Sequence, residues 1–263
     1  MNRINLVLPA AGLGSRFLEV GELRPKPLIP VFGIPMIVWV LMNFSLKSTD
    51  KVWIVSQKKH RIPEELAGVI SLIQPKVHFV EIEGVTEGPA ATVELVLQEL
   101  PDDEALVVAN TDQYVFADLN PFLNLVRSNS SDGQILTMNA SSNAWSYVGR
   151  DVTGRITEVI EKVQISNEAT VGVYGWSRVG LAKKAFANTF EEDLRTNNEF
   201  YVAPTYNFLV SKGHSVDALL IGDHGVSVHG LGTPRDLAEF LTNPEANSIA
   251  MKMNRDLGLN ESK

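Results

Sequence analysis

Two cations beside a glycine-rich turn carry the first chemical signal in this chain. The turn lies in Leu8-Pro9-Ala10-Ala11-Gly12-Leu13-Gly14-Ser15-Arg16, and Arg24-Pro25-Lys26-Pro27-Leu28 follows shortly after. Glycines in a tight turn let backbone N–H groups come close to phosphate oxygens. Arg16 adds a planar cation that can bind two oxygens at once. Lys26 adds a second cation between two prolines, which limit its backbone freedom. The apolar run Ile4 to Leu8 reads as a buried strand, so the turn lies at a strand's end. Such a loop suits a nucleoside triphosphate.

Two commoner phosphate loops are excluded. A P-loop ends in Gly-Lys-Ser or Gly-Lys-Thr, and this turn does not. A dinucleotide fingerprint needs a third glycine and an acidic residue closing the next strand. Here Arg16 follows the second glycine closely, and the next strand-like run ends at Ser56-Gln57.

Further motifs follow: Glu87-Gly88-Pro89-Ala90, Asn110-Thr111-Asp112, Glu161-Lys162, Ser166-Asn167 with Gly172-Val173-Tyr174, and Gly232-Thr233-Pro234. With the opening loop, they resemble in type and order the nucleotidyltransferases that make nucleotide-sugars, the sugar-nucleotide pyrophosphorylases. The resemblance covers nearly the whole chain. It implies attack by an acceptor's phosphate oxygen on the α-phosphorus of a nucleoside triphosphate, with pyrophosphate leaving. The nucleophile is already an anion, so such a site needs cations and positioning rather than a strong base.

The resemblance assigns roles residue by residue. Arg16 would hold the leaving pyrophosphate, and Lys26 would neutralise the α-phosphate. Leu8, Ala10, Ala11, Gly12, Gly14 and Ser15 would bind the nucleotide, with Glu87 and Gly88 at its base. Asp112 would hold Mg²⁺, the expected cofactor. Glu161, Lys162, Gly172, Tyr174 and Glu199 would form the acceptor pocket. Each also has an ordinary structural reading. Arg16 and Lys26 would be solvated cations, Asp112 a turn or helix cap, and Glu87 a first-turn carboxylate favoured by the helix dipole. Glu161-Lys162 would be a surface ion pair, Gly172 and Tyr174 core residues, and Glu199 a helix cap.

An ionised carboxylate at Glu87 only accepts hydrogen bonds. It would suit an exocyclic amine, and so mildly favours CTP or GTP over UTP and dTTP. One departure from the family's pattern stands out. Several members carry a second metal-binding Asp before Gly-Thr-Pro, where this chain has Gly230. His229 and Asp223 lie nearby, although a lone histidine is more often structural.

The expected activity is nucleotidyl transfer to a sugar 1-phosphate. Glu87–Thr92 and Asn198–Pro204 also resemble a branch found in capsule or lipopolysaccharide gene clusters. That branch suggests the runner-up: a cytidylyltransferase acting on a phosphorylated amino acid or alcohol. A glycosyltransferase of the related fold would leave Arg16 and Lys26 without a task. A catalytically inert nucleotide-sugar-binding subunit is a further alternative.

The elements that must position these residues follow from periodicity. Strands are expected at Ile4–Leu8, Lys51–Val55, Val77–Ile82 and Ala105–Ala109, with helices at Pro35–Phe44, Pro63–Ile73 and Pro89–Leu100 between them. Strands alternating with helices imply a Rossmann-like α/β fold with a mixed, mostly parallel sheet flanked by helices. The loops after those strands then converge on one sheet edge. Later strands are expected at Gln134–Met138, Tyr147–Asp151, Ile156–Ile160, Thr170–Trp176, Val216–Ile221 and Gly225–Val228. Helices are expected at Val179–Thr189, Phe200–Ser211, Pro234–Leu241 and Glu245–Leu257. A single domain is expected, with a nucleotide half at about 1–112, an acceptor half at about 113–233 and closing helices over 234–263.

Composition agrees. The chain has 263 residues, 44% apolar, enough for a substantial core. It has no cysteine, which excludes disulfides and thiolate chemistry. A net charge of −8 argues against nucleic acid as a partner. The longest apolar run, Ile34 to Leu41, is too short to span a bilayer, and a cytoplasmic protein without membrane partners is expected. A homo-oligomer is compatible with the sequence.

Overall fold

The computed structural model describes residues 2–73 and 77–258. Of the expected closing segment, residues 259–263 lie outside that description.

The first half builds β1 (Ile4–Ala10), the short α1 (Ser15–Leu18), β2 (Pro30–Val31), β3 (Ile34–Pro35) and α2 (Met36–Met42). It continues with β4 (Lys51–Gln57), α3 (Ile62–Ile73), β5 (Val77–Ile82), α4 (Pro89–Leu97) and β6 (Ala105–Ala109). The second half adds β7 (Gln113–Val115), α5 (Asn120–Ser128), β8 (Gly133–Asn139), β9 (Ser146–Arg150), β10 (Ile156–Glu161) and β11 (Glu168–Trp176). It closes with α6 (Val179–Glu191), α7 (Tyr206–Ser211), β12 (Val216–Asp223), β13 (Val228–Gly230), α8 (Pro234–Phe240) and α9 (Pro244–Asp256).

Among the described residues, nine strands form one mixed sheet. One side of it is the parallel array β6-β1-β4-β5. Strand β11 runs antiparallel beside β6 and ties that array to the other half. Beyond β11 lie β8 and then β12, while the first part of β11 also meets β9, which carries β10. Gly172 sits in the irregular stretch of β11 between Thr170 and Tyr174. A separate two-stranded ribbon joins β7 to β13.

Alternation along the strands feeds two cores. On β1, Ile4, Leu6, Leu8 and Ala10 face one layer with α2, α3, α5, α8 and α9, while Val7 faces α4, α6 and α7. On β6, Ala105, Val107 and Ala109 face the first layer and Leu106 and Val108 the second. Strands buried on both faces need to be apolar at nearly every position, as these are. The buried Asp50–Arg127 pair anchors the start of β1, where Asp50 accepts from the Ile4 N–H at 3.0 Å. No helix among the described residues is long and apolar enough to cross a membrane.

Several boundaries differ from expectation. Strand β4 runs on through Ser56 and Gln57, so these residues belong to the strand rather than to the loop after it. The helix expected over Phe200–Ser211 begins only with a 3-10 turn at Ala203–Thr205. The strand expected at Gly225–Val228 shifts to Val228–Gly230, where it pairs with β7. Helix α5 was not among the expected elements.

Candidate active site

A cavity of about 460 Å³ opens at the carboxyl ends of β1 and β6. Its walls come from Pro9–Arg16, Lys26-Pro27, Val85-Thr86, Gly88-Pro89, Thr92, Asn110–Asp112, Glu199 and Gly232. Four of the sequence motifs therefore meet in one space. Ala10, Ala11, Gly12, Gly14, Ser15 and Arg16 all reach it, and Arg16 is exposed on its wall. Leu8 does not. Strand alternation turns its side chain fully into the core. Buried Gln57 supports the loop from below, donating from Nε2 to the Ala11 carbonyl at 2.6 Å.

Lys26 lies in a 3-10 turn, Lys26–Leu28, entered through Pro25. Its ammonium donates to Oδ2 of Asp112 across the cavity floor. The two side chains are 22% and 24% exposed, so the pair is half-buried and open to the cavity. Gly232 closes over it. A Cβ there would stand 2.4 Å from Asp112 Oδ2, so a larger residue would have to displace that carboxylate. The Leu231 N–H donates to the Asp112 carbonyl at 2.7 Å and holds the two segments together.

The wall at residues 85–92 corrects two expectations. Glu87 does not point into the cavity. Its side chain is 67% exposed and accepts from Arg195 Nη2 at 3.1 Å. The Arg195 guanidinium in turn lies 3.9 Å from the centre of the Phe200 ring. Gly88 does line the cavity, but its missing side chain makes room for protein rather than for a base. A Cβ there would meet the Phe200 carbonyl oxygen at 2.6 Å and its nitrogen at 2.7 Å. Phe200 donates its N–H to the Glu87 carbonyl at 2.7 Å and accepts from Ala90 N–H at 3.0 Å. The segment 195–201 is thus bonded directly to the nucleotide wall.

That segment carries Glu199, one of the residues expected on the acceptor side. Glu199 reaches the cavity from this strap rather than from the start of a helix. It accepts from the Tyr201 hydroxyl at 2.6 Å, and the same hydroxyl accepts from the Lys162 ammonium. Lys162 also lies over the Tyr201 ring, 4.3 Å from its centre. Its backbone is left-handed, with φ at 59°, an unusual conformation that often marks functional positions. Burial and Glu199 push the Tyr201 phenol above its ordinary range. Sequence reasoning missed Tyr201, which sits within Glu199–Val202 as an unremarkable aromatic.

Glu161 is buried and accepts from the Ser146 hydroxyl. Burial raises its carboxyl, while the Ser146 bond and Lys162 oppose that rise. Tyr174 is a core residue beneath it, its hydroxyl 2.9 Å from that of Thr170, and burial pushes it upward. Gly172 packs against Asn110 and Gln113. Of the five residues expected in the acceptor pocket only Glu199 lines this cavity; Glu161, Lys162, Gly172 and Tyr174 lie outside its lining, and packing accounts for Gly172 and Tyr174.

His229 and Asp223 are also structural. His229 packs edge-on to Phe116, its Nε2 is 3.3 Å from the Val226 carbonyl, and burial lowers its affinity for protons. Asp223 accepts from Asn139 at 2.8 Å. The side-chain direction at Gly230 faces Asp236. No cluster of three potential metal ligands occurs among the described residues. The oxygens of Asp112 still suit a hard cation that takes one carboxylate and completes its shell with phosphate oxygens and water.

The chain is similar to known proteins. The family model described as nucleotidyl transferase matches residues 5–220. The bifunctional protein GlmU of Methanocaldococcus jannaschii is 31% identical over 120 residues, covering 46% of this chain and 28% of that protein. A mannose-1-phosphate guanylyltransferase of Mycobacterium tuberculosis is 24% identical over 180 residues, covering 67% of this chain and 50% of its own. The matches therefore span half or less of these relatives' lengths. A nucleoside-diphosphate-sugar pyrophosphorylase from Vibrio cholerae has a similar fold, with a TM-score of 0.73 at 23% identity over 90% of this chain and 100% of that one.

Proposed function

The chain belongs to the nucleotidyl transferase family, and on that premise we propose that it transfers a nucleoside monophosphate from a nucleoside triphosphate to a phosphorylated small molecule. A sugar 1-phosphate is the acceptor class, and pyrophosphate is released. The observation that carries this reading is the meeting of Lys26, Asp112 and the Gly12–Arg16 loop in one cavity whose far rim is Glu199.

The acceptor's phosphate oxygen attacks the α-phosphorus, and the bond to the bridging oxygen of pyrophosphate breaks. Negative charge moves from the acceptor toward the leaving group. Arg16 meets that charge with a planar fork at the mouth of the loop. Lys26, fixed by its flanking prolines, lies where charge builds on the α-phosphate. Lys162 holds the acceptor's phosphate, aimed by Tyr201 and Glu199. Glu161 takes the acceptor's polar groups. A magnesium ion held by Asp112 would supply further charge neutralisation at the phosphates.

Pyrophosphate release tests the reading. CTP, GTP, UTP, dTTP and ATP are each paired with sugar 1-phosphates, a phosphorylated amino acid and a phosphorylated alcohol. Turnover with a sugar 1-phosphate supports the assignment. Turnover only with the other acceptors moves it to the cytidylyltransferase-like alternative, and none with any pair leaves an inert binding subunit. The Asp112→Asn variant is expected to stay folded and to lose magnesium-dependent turnover. Wild-type metal dependence in that variant would place the ion elsewhere.

A further inference from the structure

With Glu87 turned outward to Arg195, some other group must meet the nucleobase if the cavity takes a nucleotide. The wall at residues 85–92 supplies it. Thr86 and Thr92 both line the cavity, and their hydroxyl oxygens lie 2.5 Å apart. Both hydroxyls also reach the Gly88 carbonyl, at 3.0 and 3.1 Å. That carbonyl already accepts from the Thr92 N–H at 3.1 Å.

One distribution of the protons makes this pair an acceptor toward the cavity. A carbonyl oxygen has two lone pairs. The Thr92 N–H takes one, and one hydroxyl takes the other. The second hydroxyl then donates to its neighbour's oxygen. Both hydroxyl protons are used within the wall, and only lone pairs remain. Thr92 is 3% exposed, whereas Thr86 is half-buried, so the lone pairs a ligand can reach are those of Thr86.

The surroundings suit a flat heterocycle. Leu13 and Val85 both line the cavity while 54% and 55% exposed, an unusual exposure for large apolar groups within a site. They offer apolar surface to the faces of a ring, and Thr86 offers an acceptor to its edge.

We propose that Thr86, oriented by Thr92 and the Gly88 carbonyl, reads the nucleobase by accepting a hydrogen bond from an exocyclic amine on its edge, which cytosine, guanine and adenine carry and uracil and thymine lack. This inference rests on the nucleotidyl-transfer reading and names the residue that recognises the base within it. A neutral hydroxyl left unpaired costs less than a buried carboxylate. Discrimination among bases is therefore expected to be modest, about tenfold.

Calorimetric titration of the full chain tests this without any acceptor. The ligands are CTP, GTP, ATP, UTP, dTTP and inorganic tripolyphosphate, each with magnesium. The proteins are wild type, Thr86→Val and Thr86→Ser. Thr86→Val is expected to lose five- to tenfold in affinity for the best triphosphate and to compress the ranking of bases to within about twofold. Its affinity for tripolyphosphate, which has no base, should stay within twofold of wild type. Thr86→Ser should keep both affinity and ranking. Equal losses for triphosphate and tripolyphosphate would show general damage to the wall and overturn the inference, as would an unchanged base ranking in Thr86→Val. If wild type binds tripolyphosphate but no nucleoside triphosphate better, the base is not read here at all. If it binds neither, the nucleotidyl-transfer reading falls as well.

Discussion

The two sides of the cavity are built in different ways. On the nucleotide side, Gly12 to Arg16 follow directly from β1, a strand buried on both faces and fixed in register between β4 and β6. On the side expected to take the acceptor, Glu199 lines the cavity, and Tyr201 of the same strap and Lys162 from the end of β10 are linked to it by their side chains. The strap bearing Glu199 and Tyr201 reaches back to the nucleotide wall through two Phe200 backbone bonds and the Arg195–Glu87 pair. One side inherits its geometry from the sheet. The other acquires it from a short hydrogen-bonded chain, which can be broken one link at a time.

The largest effect is expected on the sheet-built side. Lys26→Ala should lower kcat by at least ~10²-fold, with a smaller change in triphosphate affinity, because the cation acts on charge that develops during reaction. Steady-state kinetics beside nucleotide titration separates the two quantities. Near wild-type turnover would remove Lys26 from the chemistry and leave the Asp112 pair as a structural contact.

Gly88→Ala strikes the junction between the sides. Its φ is 123°, and the added carbon would stand within 2.7 Å of the Phe200 backbone nitrogen and oxygen. The strap has to move, so a loss of roughly 2–3 kcal/mol is expected in denaturant unfolding. A variant as stable as wild type would show that the strap is not tied here.

These differences explain what the sequence revealed. The loop Gly12–Arg16, Lys26 and Asp112 were legible because each lies within a few residues of a buried strand or between prolines, where local chain chemistry sets its place. The parallel strands β1 and β6 were legible because burial on both faces demands nearly continuous apolar runs. The strap was not. Glu199 was assigned to a helix start because Phe200–Ser211 carries apolar residues at helical spacing, yet tertiary hydrogen bonds to Glu87 and Ala90 hold Phe200 out of the helix. Gly88 was assigned to the base because a glycine in a site suggests close approach. The approach is real, but its partner is Phe200, more than a hundred residues away in sequence. Tyr201 had no local signal, since its meaning lies in where Lys162 ends.

Tyr201→Phe tests the chain of side chains on the acceptor side. The phenyl ring would still lie under Lys162, but the hydroxyl joining it to Glu199 would be gone. An increase of about five- to tenfold in acceptor KM is expected, with kcat changed less than about threefold and triphosphate KM unaffected. In a Lys162→Met background the same substitution should cost less than about twofold, because coupled residues are not additive. Full additivity would mean that Tyr201 acts independently of Lys162.

The smallest effect is expected at Glu87, where sequence and structure disagree most. A carboxylate that read the base would be buried against it, and converting it to an amide would replace an acceptor with a donor and reorder the bases. The structure instead leaves this carboxylate 67% exposed and paired with Arg195 on the outer face of the wall. Exposed ion pairs contribute little, because solvent screens them and both side chains lose freedom in forming them. The bond that matters at this residue is the one from the Phe200 N–H to its carbonyl, which a side-chain change does not touch. Glu87→Gln should therefore leave the order of preference among CTP, GTP, ATP, UTP and dTTP unchanged, with each affinity within about twofold of wild type. Competition between triphosphates measures this directly. A reordered preference would mean that the Arg195 pair opens when nucleotide binds and that Glu87 turns inward. The acceptor strap would then respond to the base rather than merely rest against its wall.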